Sequence, residues 1–153
     1  MRETATQPKL DLVVIGNGMA GCRAVEEVLA RDAGRFAITI FGAEPRVHYN
    51  RIMLSPLLGE ETDLDAITPR DDAWYRARRV TVSLGKRVAR LDRQRRCLYC
   101  DDGERVDYDT LVIATGARSS MPPLPGVAEL DGVSGFRSLH DVERLRGWSR
   151  ARP

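Results

Sequence analysis

The chain has 153 residues, of which 42% are hydrophobic and 30% charged, and its formal net charge is +2. This is the composition of a soluble globular domain, and so small a net charge gives no field that would attract nucleic acid or an anionic membrane. No apolar run approaches the roughly 18 residues of a membrane span, and the N-terminus lacks a signal-peptide core, so we expect a cytoplasmic protein with a short disordered lead over residues 1–9.

The first predicted strand leads directly into a glycine-rich turn. The apolar run 10–15 predicts a buried strand, and an apolar stripe over 19–31 predicts a helix. Between them lie Gly16, Gly18 and Gly21 in a G-x-G-x-x-G pattern. In such a unit the first glycine makes the tight turn, the second lets the backbone approach a pyrophosphate, and the third lets helix and strand pack closely. The helix N-terminus then holds the phosphates.

A second strand and an acid complete this motif. Residues 36–41 predict the strand, and Glu44 follows it about twenty residues beyond the last glycine. A carboxylate in this position accepts hydrogen bonds from ribose hydroxyls and repels a 2′-phosphate. With this context the pattern predicts an adenine dinucleotide site in preference to a glycine turn without a ligand.

The middle of the chain predicts short helices followed by strands. Residues 51–58 predict a short helix, and Thr68 is the expected N-cap of another that begins with Pro69 and runs to about Arg78. A strand is predicted at 80–84. Beyond it, turn signals separate three short strands that predict an antiparallel meander, at residues 87–91, 97–100 and 105–108. The continuous apolar run 110–114 then predicts a strand buried on both faces.

The last part of the chain has a different composition. The proline-rich stretch 121–126 is expected to be an extended connector. Ser138 and Asp141 form a capping box that opens a helix, which we expect to end near Gly147.

The cysteines and arginines are assigned structural and solvent-facing roles. Cys97 and Cys100 have metal-clip spacing, but residues three apart on a strand point to opposite faces and no second pair completes a site, so we predict no metal. Cys22, in the first turn of the first helix, would have a depressed pKa if exposed, but packing is expected. The arginine clusters could form a phosphate patch, and we favour solvated faces interleaved with acids.

Three segments of the chain together resemble a known family. Residues 14–21, 49–55 and 108–117 are similar to flavoprotein reductases with two dinucleotide domains, and most of all to the N-terminal part of the large subunit of assimilatory NAD(P)H-nitrite reductase. Ferredoxin and rubredoxin reductases are the next most similar. The expected fold is α/β, a Rossmann-like three-layer fold with a central parallel sheet and an antiparallel β-meander insertion. Residues 10–117 would form the FAD-binding domain, and residues 118–153 a proline-rich connector and helix that lead to an NAD(P)H-binding domain.

The resemblance implies roles for individual residues. The glycine-rich turn would hold the FAD pyrophosphate, Glu44 and Pro45 would meet the adenosine ribose, and Val88 would meet adenine through its backbone. Arg51 would lie near the flavin and pyrophosphate, although an exposed loop arginine is the alternative. His48 is given no role. The complete set of expected cofactor-binding residues is Gly16, Asn17, Gly18, Met19, Ala20, Gly21, Glu44, Pro45, Arg51, Val88, Ala114, Thr115 and Gly116.

Several functional groups found in related flavoproteins have no counterpart in this sequence. Residues 51–59 contain no cysteine, so thiol–disulfide chemistry is not expected. The chain has no second G-x-G-x-x-G for NAD(P)H and no cysteine cluster for an iron–sulfur or sirohaem–[4Fe–4S] centre. We therefore expect a fragment that binds FAD, works with the remaining domains of a nitrite reductase, and is inactive alone; self-association is possible. The alternatives are a ferredoxin- or rubredoxin-type reductase and a non-catalytic dinucleotide-binding module; a nucleic-acid binder is disfavoured.

Overall fold

The computed structural model describes residues 8–127, 130 and 132–151. Most of the disordered lead expected at residues 1–9 lies outside these ranges, as do residues 128, 129, 131, 152 and 153 of the expected connector and helix. The elements in chain order are β1 (Leu10–Ile15), α1 (Met19–Asp32), β2 (Phe36–Gly42), a 3₁₀ turn (Arg51–Met53), α2 (Leu54–Leu58), α3 (Asp72–Ala77), β3 (Val80–Leu84), β4 (Val88–Asp92), β5 (Cys97–Cys100), β6 (Arg105–Asp107), β7 (Thr110–Ile113) and α4 (Leu139–Ala151).

The chain divides into two compact units. The first contains Met1–His48 and Arg70–Gly116, and the second contains Tyr49–Pro69 and Ala117–Pro153. Residues 49–69, which fall within the predicted FAD-binding domain, therefore group with the C-terminal segment.

The first unit is built on a parallel sheet of four strands in the order β3-β2-β1-β7. Every neighbouring pair is parallel, with Val14 of β1 opposite Ile40 of β2 on one side and Val112 of β7 on the other. Parallel strands need crossover connections, and α1 supplies the one between β1 and β2. The carboxyl ends of all four strands therefore lie along one edge of the sheet.

Side chains alternate across this sheet and produce three layers. Leu12 and Val14 of β1 belong to one core together with Val25 of α1 and Tyr75 of α3. Val13, which points to the opposite face, belongs to a second core that includes residues of the meander. Helices thus cover one face of the parallel sheet and the meander covers the other, which confirms the expected α/β fold with a parallel sheet and a meander insertion.

The meander is an antiparallel sheet in the order β4-β5-β6. Its register shifts between Val88 and Arg90, so one residue of β4 bulges. Leu98 at its centre is completely buried and faces the core shared with Val13. The register otherwise runs regularly, with Leu98 opposite Leu91 on β4 and Val106 on β6.

The second unit has its own small core, in which α2 packs on α4. Leu54 and Leu57 of α2 contact Leu139 and Val142 of α4, and Tyr49 lies among them. The Tyr49 hydroxyl accepts a hydrogen bond from the Leu139 backbone N–H at 3.2 Å. No helix in the described part of the chain has both the length and the apolar character needed to cross a bilayer.

Two helix boundaries differ from the predictions. The N-cap of α3 is Asp71, whose carboxylate accepts from the Trp74 N–H at 2.8 Å, whereas Thr68 donates its hydroxyl to the Leu64 carbonyl at 2.7 Å. Thr68 is engaged in a local turn, so the helix begins at the next good cap. The C-terminal helix continues through Gly147 to Ala151, because a single glycine costs only about 1 kcal/mol within a helix.

The expectation for β7 is also wrong. Its apolar run predicted a strand buried on both faces, but β7 is the end strand of the sheet in the described residues, and Ile113 is 62% exposed. An apolar run identifies a strand without specifying its place in the sheet.

Candidate functional site

Most of the expected cofactor-binding residues of the first unit lie at the carboxyl edge of the parallel sheet. Gly16 follows β1, Glu44 follows β2, and Ala114 follows β7. Hydrogen bonds join these ends: Gly16 N–H donates to the Phe41 carbonyl at 2.8 Å, and Ala114 N–H donates to the Ile15 carbonyl at 2.8 Å. In open parallel sheets this edge is where ligands bind.

Gly16 and Gly21 are required by the packing of the protein itself. Gly16 has φ of +114°, and a Cβ there would lie 2.2 Å from the Ala114 carbonyl oxygen. A Cβ on Gly21 would lie 2.0 Å from the Gly16 carbonyl oxygen. Both distances are impossible for real atoms, so the turn, the first turn of α1 and the end of β7 can meet only because these two residues are glycines.

Gly18 has no such packing requirement. A Cβ on Gly18 would meet no atom of the described residues within 4 Å, and its φ of −107° is open to any residue. Gly18 is also the N-cap of α1, and in the described part of the chain no side chain caps this helix, whose first turn contains no acid. The first intrahelical bond runs from Cys22 N–H to the Gly18 carbonyl at 2.9 Å, so the preceding N–H groups lie before the hydrogen-bond ladder.

This helix terminus fits an anionic ligand. Unsatisfied N–H groups and the positive end of the helix dipole favour phosphate, and the open space over Gly18 allows a phosphate to reach the backbone. Met19 and Ala20, the first residues of α1, are exposed. The residues present therefore fit a pyrophosphate group at this position.

Glu44 and Pro45 lie on the loop after β2 and are held to the neighbouring strand end. The Glu44 carbonyl accepts from Gly85 N–H at 2.9 Å, and the Gly42 carbonyl accepts from Lys86 N–H at 3.0 Å. Glu44 is half-buried and Pro45 exposed. Gly42 also touches the turn, because a Cβ on it would lie 3.1 Å from Asn17 Cβ.

The remaining expected residues fall in different places. Val88 begins β4 and is half-buried, and Thr115 and Gly116 are exposed at the end of β7, where Gly116 has φ of +70°. Arg51 belongs to the second unit, where its guanidinium donates to the Tyr49 hydroxyl at 2.9 Å and to the Arg137 carbonyl at 2.8 Å. Both hydrogen bonds lie within the second unit, and the expected place of Arg51 near the flavin stays a prediction.

Tyr75, which no motif of the sequence indicated, contacts the glycine-rich turn. Tyr75 of α3 is 2% exposed, and its hydroxyl lies 3.4 Å from Asn17 Oδ1 and 3.6 Å from Cys22 Sγ, two acceptors that share its one proton. Burial raises the pKa of both the Tyr75 phenol and the Cys22 thiol, so both groups stay protonated at neutral pH. A tyrosine at an inward-facing position of a short helix was the only sequence signal for this contact.

The cysteines of the meander are packed residues. Cys97 and Cys100 are both buried. The Cys100 thiol lies near the carboxylates of Asp102 and Glu104 in a group that could hold a metal ion, but the Lys86 ammonium already binds both acids, and Nζ lies 3.0 Å from Asp102 Oδ2. These contacts raise the pKa of Lys86, whose single positive charge offsets one of the two carboxylate charges.

The known proteins that this chain resembles are reductases and an electron transfer subunit. The NAD(P)H nitrite reductase of Bacillus subtilis (strain 168) is 39% identical over 142 residues, which are 93% of this chain and 18% of that protein. The assimilatory nitrate reductase electron transfer subunit of the same organism is 42% identical over 137 residues, 90% of this chain and 18% of that protein. The crystal structure of the ferredoxin reductase for the CYP199A2 system from Rhodopseudomonas palustris matches with a TM-score of 0.81 and 27% identity, over 92% of this chain and 34% of that one.

The chain spans less than a fifth of the length of these two curated relatives, since it covers 18% of each. The family match itself covers residues 10–150, which include the glycine-rich turn and all of α4 except Ala151. The chain therefore belongs to the pyridine nucleotide-disulphide oxidoreductase family.

Proposed function

We propose that this chain is the FAD-binding part of a flavin-dependent NAD(P)H oxidoreductase of the nitrite reductase type. The observation that carries the proposal is the N-terminus of α1, where uncapped N–H groups and the open space over Gly18 fit a pyrophosphate. The family match over residues 10–150 and the nitrite reductase relative at 39% identity support it.

On this proposal the ADP portion of FAD lies along the carboxyl edge of the sheet. The backbone from Gly16 to Gly21 donates to the pyrophosphate, and the Glu44 carboxylate accepts hydrogen bonds from the ribose hydroxyls. Val88 meets the adenine through its backbone. Ala114, Thr115 and Gly116 allow close approach because their side chains are small or absent.

The chemistry of the complete enzyme extends beyond the groups in this chain. Bound flavin supplies the capacity to exchange two electrons with a nicotinamide and single electrons with metal centres. We propose that electrons from NAD(P)H pass by this route to iron–sulfur and sirohaem centres for nitrite reduction, carried by further domains of the kind that give the relatives their greater length. This chain supplies the cofactor's binding site and orientation.

A second candidate shares the same site and differs in its acceptor. The structural match to a ferredoxin reductase, with a TM-score of 0.81, favours a flavoprotein that reduces a small iron–sulfur protein. Both candidates require FAD at the carboxyl edge of the sheet. They differ in the electron acceptor, so reduction of nitrite or of ferredoxin by the natural assembly in the presence of NADH and NADPH distinguishes them.

The first test is direct ligand binding. We expect titration of the chain with FAD, ADP and FMN to show binding of FAD and ADP and much weaker binding of FMN, because the described residues address the ADP portion. Gly18→Val should abolish binding, since its side chain fills the space that the pyrophosphate needs. Gly147→Val is the matched control, because a Cβ on Gly147 also meets no described atom within 4 Å and this residue lies in α4. A chain that binds neither FAD nor ADP contradicts the proposal.

A further inference from the structure

We propose that Tyr75 is a positioning residue of the dinucleotide site, whose buried hydroxyl fixes Asn17 and, through Asn17, the backbone at the N-terminus of α1. This inference rests on the function proposed above. It assigns a role to a residue of α3 that lies outside the glycine-rich turn in the sequence and that donates to Asn17, the residue between Gly16 and Gly18.

The Tyr75 hydroxyl contacts the chain at two points, one inside the glycine-rich turn and one in α1. Asn17 lies inside the turn, and Cys22 lies one helical turn further along α1. The single Tyr75 hydroxyl has Asn17 Oδ1 at 3.4 Å and Cys22 Sγ at 3.6 Å. Its ring is packed in the core with Val14 and Val25, so the hydroxyl is attached to a rigid support.

Between these two contacts, Gly21 is closely packed and Gly18 is not. Gly16 is fixed by its hydrogen bond to Phe41 and by the Ala114 carbonyl, and Gly21 by its close packing on Gly16. Gly18 has no side chain, and α1 has no side-chain cap among the described residues. Asn17 is therefore the side chain through which the core can set the orientation of the Gly18 peptide.

Asn17 is a costly choice for stability alone. Its Nδ2 is buried and has no hydrogen-bond partner in the described part of the chain. A buried donor without an acceptor is unfavourable, so an apolar residue packed on Gly42 would serve the fold better. The amide is explained if its oxygen is needed by Tyr75 to orient the turn.

Because the Tyr75–Asn17 hydrogen bond is long, its contribution to stability can be separated from its role in orienting the turn. A 3.4 Å O–H···O bond is longer than the usual range and contributes little to the free energy of unfolding. Orientation of the phosphate-binding backbone depends on it more strongly, because the donors of a preorganised site must already point at the ligand.

The test compares Tyr75→Phe with Tyr99→Phe in the complete 153-residue chain. Tyr75→Phe keeps the ring and its edge contact with Trp74, at 5.0 Å between centroids, and removes only the hydroxyl. Tyr99→Phe removes the same atom from β5 of the meander. We expect Tyr75→Phe to weaken binding of FAD and ADP roughly three- to ten-fold and Tyr99→Phe to leave it unchanged. The urea midpoints of both variants without ligand should stay close to that of the wild type.

Two further readouts identify the path through Asn17. In an Asn17→Ala background, Tyr75→Phe should cause no additional loss of affinity. In the ligand-free protein, Tyr75→Phe should shift the backbone amide resonances of Gly18 and Ala20, whereas Tyr99→Phe should not. The inference is overturned if Tyr75→Phe binds FAD as the wild type does, or if its effect is undiminished in the Asn17→Ala background. A wild-type chain that binds neither ligand overturns the proposed function, and this inference with it.

Discussion

The carbonyl oxygen of Ala114 lies 2.2 Å from the position that a Cβ atom on Gly16 would occupy. This closeness brings the end of β7 against the glycine-rich turn, although the two segments are far apart in the sequence. Gly18, two residues from Gly16, faces open space instead. The two glycines thus differ, because Gly16 is required by the packing of the fold, whereas Gly18 leaves open the space that the proposed phosphate would occupy.

Replacement of Gly16 or Gly18 by alanine should therefore affect the free energy of unfolding very differently. We expect Gly16→Ala to lower the free energy of unfolding by about 2 kcal/mol or more, because the new methyl group meets the Ala114 backbone and φ is +114°. Gly18→Ala should cost less than about 1 kcal/mol, since only an N-cap preference is lost. Urea unfolding of the two variants without ligand measures the difference. Equal losses would contradict this division of roles.

The sequence predicted the strands of the first unit well because their apolar runs are bounded by clear turn residues. The bounds of β1 and of β3 match the predicted ones. The exposure of β7 could not be predicted, since the place of a strand in a sheet depends on which strands pair, and that is set by contacts distant in the sequence.

The same limit applies to the helices and to the site. Residues 49–69 pack with α4 through contacts such as Tyr49 with Leu139, which no local periodicity reveals. The glycine-rich turn was predictable because its motif is local. The contact of Tyr75 with Asn17 was not, because these residues lie 58 positions apart.

Glu44 should control which adenine nucleotides the chain accepts. A carboxylate beside the ribose accepts from a 2′-hydroxyl and repels a 2′-phosphate. We expect the wild type to prefer ADP over adenosine 2′,5′-bisphosphate by roughly ten-fold, and Glu44→Gln to reduce that preference. Calorimetric titration with the two nucleotides measures the ratio of affinities. Glu61→Gln, which removes an exposed carboxylate of the second unit, is the control; an unchanged ratio in Glu44→Gln would contradict the assignment.

Asp141 should stabilise the start of α4 in a pH-dependent manner. Although burial raises the pKa of its carboxyl, hydrogen bonds from the backbone of Arg137 and Ser138 and from the Ser138 hydroxyl outweigh this effect and hold the pKa below its ordinary value. Its contribution is therefore present above the unfolded-state pKa of about 4 and is lost as pH falls through the lower folded-state pKa.

The expected result for Asp141→Asn is a loss of about 1 kcal/mol at pH 7 that shrinks toward zero in acid. Urea unfolding at a series of pH values measures it. Asp107→Asn is the matched control, because the Asp107 side chain is 67% exposed and its pairing with Arg105 is on the surface. A difference between wild type and Asp141→Asn that stays constant down to pH 2 would show that the carboxylate charge is not responsible.

Identical substitutions at two isoleucines should reveal how unevenly the parallel sheet is buried. Ile40 of β2 is completely buried between neighbouring strands, and Ile113 at the end of β7 is 62% exposed. We expect Ile40→Val to lower the free energy of unfolding by about 0.5–1.5 kcal/mol through the loss of a packed methylene. Ile113→Val should change it by less than about 0.5 kcal/mol, because the lost group contacts solvent. Parallel urea titrations of the two variants compare them, and a loss at Ile113 as large as that at Ile40 would mean that another surface covers β7 in solution.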